Sequence, residues 1–436
     1  MAKDMRSWIK QLDDAGELQH TEKANLDELG GIFGWAREKA VLVEKVAERP
    51  GWKVLGAAPC NMRQVALAFN TEKSQVNREF ARRLDKGLMP CKLVKTGPVK
   101  EVVQKGADVR LTKLPVHVQG VKDAGPFITT GLVISKDPDT GRRNMAFHRL
   151  QVKGDNKTGI LLLTERHTWV IHQKYEAMNK PMPVAIMIGH HPMYYFAAAY
   201  TGALGLDELE VAGSLLEEPV ELVKCETIDM EVPAYAEIIL EGEILPGVRE
   251  EEGPFSEFQN YYATERKNPV VMYKALTMRH DAIYKTLQHA PPNEGILYGS
   301  VPMAAALLQD IRNVGGYADI KDISCYWGNS MFGAVVQMTP RFYGEAKHVL
   351  MAVASSVYSH QKINVAVDED VDIYDPQDVA WAITTRVNPQ DDVVVIPGVR
   401  VNGLDISAPG MDRPGITAFH RVGSKMLIDA TKPPTS

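Results

Sequence analysis

Cysteine is scarce: four residues in 436 (Cys60, Cys91, Cys225 and Cys325), widely scattered and without a CxxC pair. That excludes a thiolate zinc site and a disulfide framework, and fits a reducing compartment. Long apolar runs are missing as well. The longest, residues 194–204 (YYFAAAYTGAL), contains tyrosine and threonine and falls far short of the ~20 residues that span a bilayer. The N-terminus, MAKDMRSWIKQLDDAGEL, reads as an amphipathic helix with Ile9 and Leu12 on one face and has no signal-peptide core. A cytoplasmic protein with no membrane partner is expected. Neither sign of charge dominates: 49 Lys+Arg against 55 Asp+Glu leave −6, with no basic block, so nucleic acid is not an expected partner. Aromatics make up only 7%, yet the 45% hydrophobic content can fill sizeable cores and excludes global disorder. Fingerprint motifs are absent too. There is no GxGxxG after a strand, no GxxxxGK[ST], no HExxH and no GxSxG, so a dinucleotide fold, a P-loop and a serine hydrolase lack support.

What is present divides along the chain into three parts, within the two to four domains that ~100–200 residues per domain allow. Residues 1–115 mix a helical pattern (LDELGGIFGWAREKAVLVEKVAE) with strand-like VALAFN and CKLVKTG, which predicts a small α/β domain. LTKLPVHVQGVKDAGPF, broken by proline and glycine, reads as a linker. Residues 116–300 open with ITTGLVISKDPDTGRRNMAFHRLQV, two apolar runs around DPDTG and thus a hairpin. GILLLTE, PVAIMIG, AEIILEGEI and NPVVMYKALTM follow as strands, with helices at HTWVIHQKYEAMNK and LDELEVAGSLL. This pattern predicts a barrel-like β domain with inserted helices. Residues 301–436 are again α/β, so the fold class is α/β (α+β).

Four segments carry candidate chemistry. In EEGPFSE, Glu252 and Glu257 would diverge on a regular helix or strand, but the intervening Gly-Pro bend lets them converge. Phe255 supplies an apolar wall that could keep one carboxyl protonated as a proton donor. A solvated acidic loop is the plain alternative. In NMAFHRL, read as a strand, Arg149 shares a face with Met145 and Phe147, and a guanidinium there needs a carboxylate partner unless it reaches solvent. In ELVKCETIDMEVPA, Glu226 in mid-strand asks for a cation, from a metal, lysine or arginine. His167 follows GILLLTE and opens a helix, where a structural role competes with a ligand role.

Taken in order, NMAFHRL, the histidine after GILLLTE, KCETIDMEVPA, EEGPFSE and DEDVDIYDPQDVAWAITTR resemble the UbiD-like (de)carboxylases, over nearly the whole chain from about residue 90. The resemblance implies prenylated FMN and a divalent metal as cofactors, Mn²⁺ or Mg²⁺, with K⁺ as a further ion. It implies Asn144, His167 and Glu226 as metal ligands, an oxygen-rich set suited to such ions. Arg149, Glu252 and Glu257 would form the catalytic network: Arg149 binding the substrate carboxylate, Glu252 orienting it and Glu257 protonating the carbon that CO₂ leaves. Thr130, Asn144, Gly213, Ser214, Leu215 and Lys362 are the candidates for holding the cofactor, although Lys362 also reads as a solvated strand-start lysine. His289, in QHAPPNEG, would meet the substrate ring or stabilise the Pro-Pro turn.

The architecture implied is an N-terminal α/β domain, a central split β-barrel that binds the flavin, and a C-terminal α/β dimerisation domain. The activity implied is reversible, non-oxidative decarboxylation of an aromatic, heteroaromatic or α,β-unsaturated carboxylic acid. CO₂, a prenyl-flavin-producing enzyme and further copies of the chain, as homodimer or hexamer, are the implied partners. Two rivals stay open: a flavin-dependent oxidoreductase, since split barrels also host flavin reductases, and a non-catalytic subunit of a multi-subunit carboxylase.

Overall fold

The structure is a computed structural model that describes residues 3–163, 166–289, 294–314, 318–358, 360–408 and 421–432. Residues 164–165, at the end of GILLLTE, and 290–293, within QHAPPNEG, lie outside the described residues.

Two compact units result, Met1–Lys73 with Arg82–Gly295, and Ser74–Ala81 with Ile296–Ser436. The first two expected domains therefore form one unit. Its N-terminal sheet explains why: strands Leu18–Thr21, Ala40–Val43 and Lys53–Gly56 are completed by Ile283–Lys285, from far along the chain. Ala40–Val43 falls inside the pattern read as one long helix. The helix is confined to Leu29–Trp35, because Ala40–Val43 gains parallel partners in Leu18–Thr21. VALAFN is likewise helical up to Phe69, within Met62–Phe69, with Asn70 as its left-handed C-cap and the Asn61 side chain capping the start by accepting from Gln64 N.

The larger sheet of this unit has nine strands, all paired antiparallel. They are β1 (Val102–Lys105), β2 (Phe127–Ile128), β3 (Leu132–Lys136), β4 (Arg143–Phe147), β5 (Leu150–Val152), β6 (Lys157–Ile160), β7 (Met182–Ile188), β8 (Ile238–Glu252) and β9 (Arg266–Met278). Their order is β2-β5-β6-β9-β8-β7-β3-β4, with β1 on β9. The DPDTG turn closes the β3–β4 hairpin, pairing Lys136 with Arg143. The long β8–β9 ribbon carries register shifts at Glu241/Gly242 and between Ile244 and Arg249, which curl the sheet into a half-barrel. At Gly242 a Cβ would stand 2.5 Å from the Met272 carbonyl oxygen, so only glycine fits that bulge. Alternate residues (Val133, Val184, Ile186, Leu240, Val271) fill the core, each large side chain contributing roughly 1.5–3 kcal/mol. Helices α1 (His167–Ala177), α2 (Pro192–Ala199) and α3 (Glu208–Leu216) are inserted between strands; the first and third were expected from the sequence, the second was not.

The second unit holds a five-stranded sheet whose three middle strands, Gly333–Thr339, Ile363–Val367 and Arg421–Ala430, pair in parallel. Strand alternation sends Val335, Val365 and Val367 to one core with Val379, and Ala334, Val336 and Ala366 to another with Val349 and Leu350. No helix among the described residues is long and apolar enough to cross a membrane.

Candidate active site

Strand β8 delivers Glu252 at its last position, and the chain then turns at Gly253, whose φ of 92° belongs to glycine. The next residues, Phe255–Ser256, form a short ribbon with Tyr262–Ala263 and bring Glu257 back toward Glu252. Arg149, in the link between β4 and β5, lies between the two acids. Its Nε and Nη2 donate to Glu252 at 2.9 and 2.8 Å, and its Nη1 donates to Glu257. Asn268 Nδ2 donates to Glu252 at 2.9 Å, so that carboxylate is satisfied from three directions while wholly buried. The face of Arg149 lies 5.0 Å from the Phe255 ring centroid, and Phe255 packs on Phe127 at 4.6 Å.

Electrostatics sorts the two acids. Burial raises the pKa of Glu257; Arg149 opposes the shift, and the negative charges of Glu252 and Asp123 reinforce it, leaving it net upward. Burial would lower the pKa of Arg149, but the two glutamates outweigh it and the guanidinium stays charged. The arrangement is a cation clamped by one carboxylate and facing a second that holds its proton more tightly than usual.

The segment expected as a linker belongs to this site. Asp123 accepts from Ser256 N at 2.7 Å and from Gly120 N at 2.8 Å, and Ala124 N donates to Pro254 O. These bonds seat the turn that carries Glu257. On the other side, Gly253 N donates to Gln151 Oε1.

A second cluster forms where β4, α1 and α3 meet. Asn144 on β4 and His167 in the first turn of α1 are joined there by Glu208. Glu208 Oε1 lies 4.0 Å from His167 Nδ1, and Oε2 accepts from Met145 N at 2.7 Å. The Glu208 carboxyl is 3% exposed, and no lysine or arginine among the described residues pairs with it. Burial pushes its pKa up to about 8. A carboxylate buried beside an imidazole that burial keeps neutral is a site short of one positive charge. One Asn, one His and one Glu suit an oxygen-seeking divalent ion. No group of three or more His, Cys, Asp or Glu occurs among the described residues, which leaves no thiolate- or histidine-rich centre there.

Glu226 takes a different place from the one expected. The strand ends at Lys224, and the backbone N–H groups of Glu226 and Thr227 turn inward to the buried Glu241 carboxylate at 2.8 Å. The Glu226 side chain turns toward solvent and ion-pairs with Lys105 at 2.7 Å and Lys100 at 3.2 Å. Its cation is therefore lysine. Glu208 escaped notice because Asp207 caps the helix, accepting from Leu209 N, so an acid in the following turn reads as a helix-start residue.

The proposed cofactor contacts divide. Thr130 is fully buried and donates to Lys285 O at 2.6 Å. Gly213, Ser214 and Leu215 serve packing: Ser214 Oγ bonds Gly87 O, Glu210 O and Met89 N, and Leu215 O accepts from Arg83. A Cβ on Gly213 would meet Met89 O at 3.3 Å. The contacts these three make among the described residues are to the 83–89 segment. Lys362 lies in the second unit, where its Nζ donates to Asp405 at 3.1 Å and to Ser407. His289 is edge-on to Phe255 at 5.2 Å, and its buried Nδ1 has no hydrogen-bond partner among the described residues. Burial, with Arg149 nearby, drives its pKa down to about 3, so the ring is neutral.

Comparison with known proteins adds independent findings. Residues 92–292 match the family described as 3-octaprenyl-4-hydroxybenzoate carboxy-lyase Rift-related domain, and residues 297–430 match the C-terminal domain of the same carboxy-lyase. Anhydromevalonate phosphate decarboxylase of Methanothermobacter thermautotrophicus is 31% identical over 435 residues, covering 98% of this chain and 97% of that protein. The UbiD-class enzyme HmfF from Pelotomaculum thermopropionicum, solved with FMN, shares 35% identity at a TM-score of 0.90, over 99% of this chain and 95% of that one. An evolved dimeric form of HmfF was solved with prenylated FMN (34% identity, TM-score 0.88, 99% and 96% covered). The apo 3,4-dihydroxybenzoic acid decarboxylase of Enterobacter cloacae shares 29% at 0.89, over 99% and 94%.

Proposed function

Because the chain belongs to the UbiD family and is a decarboxylase of the carboxy-lyase class, we propose that it removes CO₂ reversibly from an aromatic, heteroaromatic or α,β-unsaturated carboxylic acid. The observation that carries this reading is the buried Glu252–Arg149–Glu257 arrangement, a carboxylate receptor beside a second carboxyl whose pKa burial raises. Relatives that act on a dihydroxybenzoic acid and on anhydromevalonate phosphate support that substrate range.

Prenylated FMN and a divalent cation are the cofactors we assign, since HmfF has been solved with FMN and with the prenylated form. The chain's own residues fit both. Asn144, His167 and Glu208 would hold Mn²⁺ or Mg²⁺, whose charge would bring the Glu208 pKa down and keep it ionised. Phe127 and Phe255, with a His289 Nδ1 that has no hydrogen-bond partner among the described residues, offer an apolar wall and one polar atom to a flat ring. When bound, the prenylated flavin supplies the electron sink that decarboxylation at an sp² carbon requires.

The protein's part is binding, orientation and one proton. Arg149 receives the substrate carboxylate, and the bidentate bond from Glu252 fixes the guanidinium plane. Glu252 accepts from both Arg149 and Asn268, so its part is to orient the guanidinium. As the C–C bond to the carboxylate breaks, CO₂ leaves and the electron pair remains with the ring carbon. Glu257 then gives its proton to that carbon and regains one from solvent, so the net change is RCO₂⁻ + H⁺ → RH + CO₂, with hydrogen where the carboxylate stood. In reverse, the Glu257 carboxylate takes the proton away. His289 would donate to or accept from a ring substituent.

The flavin would come from a separate prenylating enzyme, and we assign homo-oligomerisation to the C-terminal unit. The test is expression with a prenyl-flavin source and Mn²⁺, followed by a panel of furan, pyrrole, indole, hydroxybenzoic and enoic acids without any nicotinamide. CO₂ release supports the proposal. Flavin bleaching by NADH with no CO₂ from any acid would favour an oxidoreductase.

A further inference from the structure

One buried hydroxyl ties the candidate cation site to a histidine that no step above uses. Thr168 follows His167 in the first turn of α1 and is completely buried. Its Oγ1 lies 3.0 Å from Asn144 Nδ2 and 3.0 Å from His148 Nε2. His148 Nδ1 lies 2.9 Å from the carbonyl oxygen of Leu161.

The proton directions follow from one end of this chain of contacts. A carbonyl oxygen can only accept, so Nδ1 carries the His148 proton and donates it to Leu161. In a buried neutral imidazole the other nitrogen is then an acceptor. The Thr168 O–H is the donor to it. With that proton committed, Thr168 Oγ1 has only lone pairs left and must accept from the Asn144 amide. Oxygen and nitrogen of an amide are otherwise interchangeable in position; here the Leu161 carbonyl, two residues' side chains away, decides between them. The Asn144 NH₂ faces Thr168, and the Oδ1 is left free of that contact.

We propose that Thr168 and His148 are positioning residues that lock the Asn144 amide so that its oxygen, the only atom of that group able to ligate a cation, is presented to the divalent ion. This rests on the reading of Asn144, His167 and Glu208 as its ligands. Neither Thr168 nor His148 touches the ion. A hydroxyl that merely packed would serve equally well as a methyl group of the same shape.

The experiment uses the full chain loaded with FMN and titrated with MnCl₂, following the free-Mn²⁺ electron paramagnetic resonance signal. Thr168→Val keeps the shape and removes the hydroxyl, Thr168→Ala removes it with less crowding, and Thr168→Ser retains it. Loss of such an outer partner weakens metal binding about 10–100-fold. The expected pattern is that Val and Ala weaken Mn²⁺ by that factor, with unchanged circular dichroism, while Ser binds as the unaltered protein does. Equal Mn²⁺ affinity in a folded Val or Ala variant overturns the inference. His167→Ala separates the two layers: if it too binds Mn²⁺ undiminished, or if the unaltered protein binds none, the ligand assignment fails and the inference falls with it.

Discussion

Glu252→Gln probes the arginine clamp where its chemistry and its stability meet. The carboxylate is wholly buried and accepts three hydrogen bonds, two from Arg149 at 2.9 and 2.8 Å and one from Asn268 at 2.9 Å. Glutamine keeps the shape but offers one acceptor oxygen, so its NH₂ must face a donor of either Arg149 or Asn268. Removing one member of a buried pair costs about 3–5 kcal/mol. Glu257 remains as a partner for Arg149, so the expected loss falls below that range, about 2–3 kcal/mol, read as a lower urea midpoint at unchanged slope. The second consequence concerns protonation. The Glu252 charge helps to raise the Glu257 pKa, and without it Arg149 turns wholly to Glu257. The Glu257 pKa therefore falls, the acid form is lost at lower pH, and the alkaline limb of the rate profile moves to lower pH. An unshifted alkaline limb in a folded variant would refute the reasoning.

Three further outcomes follow. Glu208→Gln abolishes Mn²⁺ binding by elemental analysis whereas Glu226→Gln, which loses only lysine partners, leaves it intact; the reverse result restores Glu226 as the ligand. In the metal-free chain Glu208 has its folded pKa raised to about 8, so the stability it permits is complete below about pH 4.5 and is lost as pH rises through 8. Glu208→Gln removes that dependence, and the variant's advantage grows with pH to on the order of 5 kcal/mol; parallel denaturation curves from pH 5 to 9 would count against the buried, cation-short carboxylate. Asp123→Asn keeps the size of the side chain that seats Ser256 but removes a charge facing Glu257, so the alkaline limb shifts to lower pH with little change in KM. A rise in KM at an unchanged pH profile would make Asp123 a scaffold residue only.

Much of the candidate site's geometry was legible because short motifs place unlike residues at fixed offsets around a turn. EEGPFSE needed only its Gly-Pro bend to bring Glu252 and Glu257 together, and Arg149 on an apolar background already asked for acids. The illegible parts share a physical cause, which is that partners distant in the chain decide the role. Glu226 looked like a buried acid until Lys100 and Lys105 proved to face it. Glu208 looked like a helix-start acid, because nothing local shows that β4 and His167 cover it. Ala40–Val43 is a strand only because Leu18–Thr21 and Lys53–Gly56 flank it. The 111–127 segment reads as a linker by its prolines and glycines, but Asp123 anchors it to the turn that carries Glu257.

The central claim is that Glu257 delivers the proton to the carbon that loses CO₂. The direct measurement is deuterium incorporation at that carbon in D₂O, by mass spectrometry, for the chain loaded with prenylated FMN and Mn²⁺ and for its Glu257→Gln variant, each with an acid that the unaltered enzyme decarboxylates. The account predicts one deuterium per CO₂ released in the first case, and neither CO₂ turnover nor exchange in the second, with flavin and metal contents unchanged. Turnover and deuterium incorporation at the original rate in Glu257→Gln would contradict it.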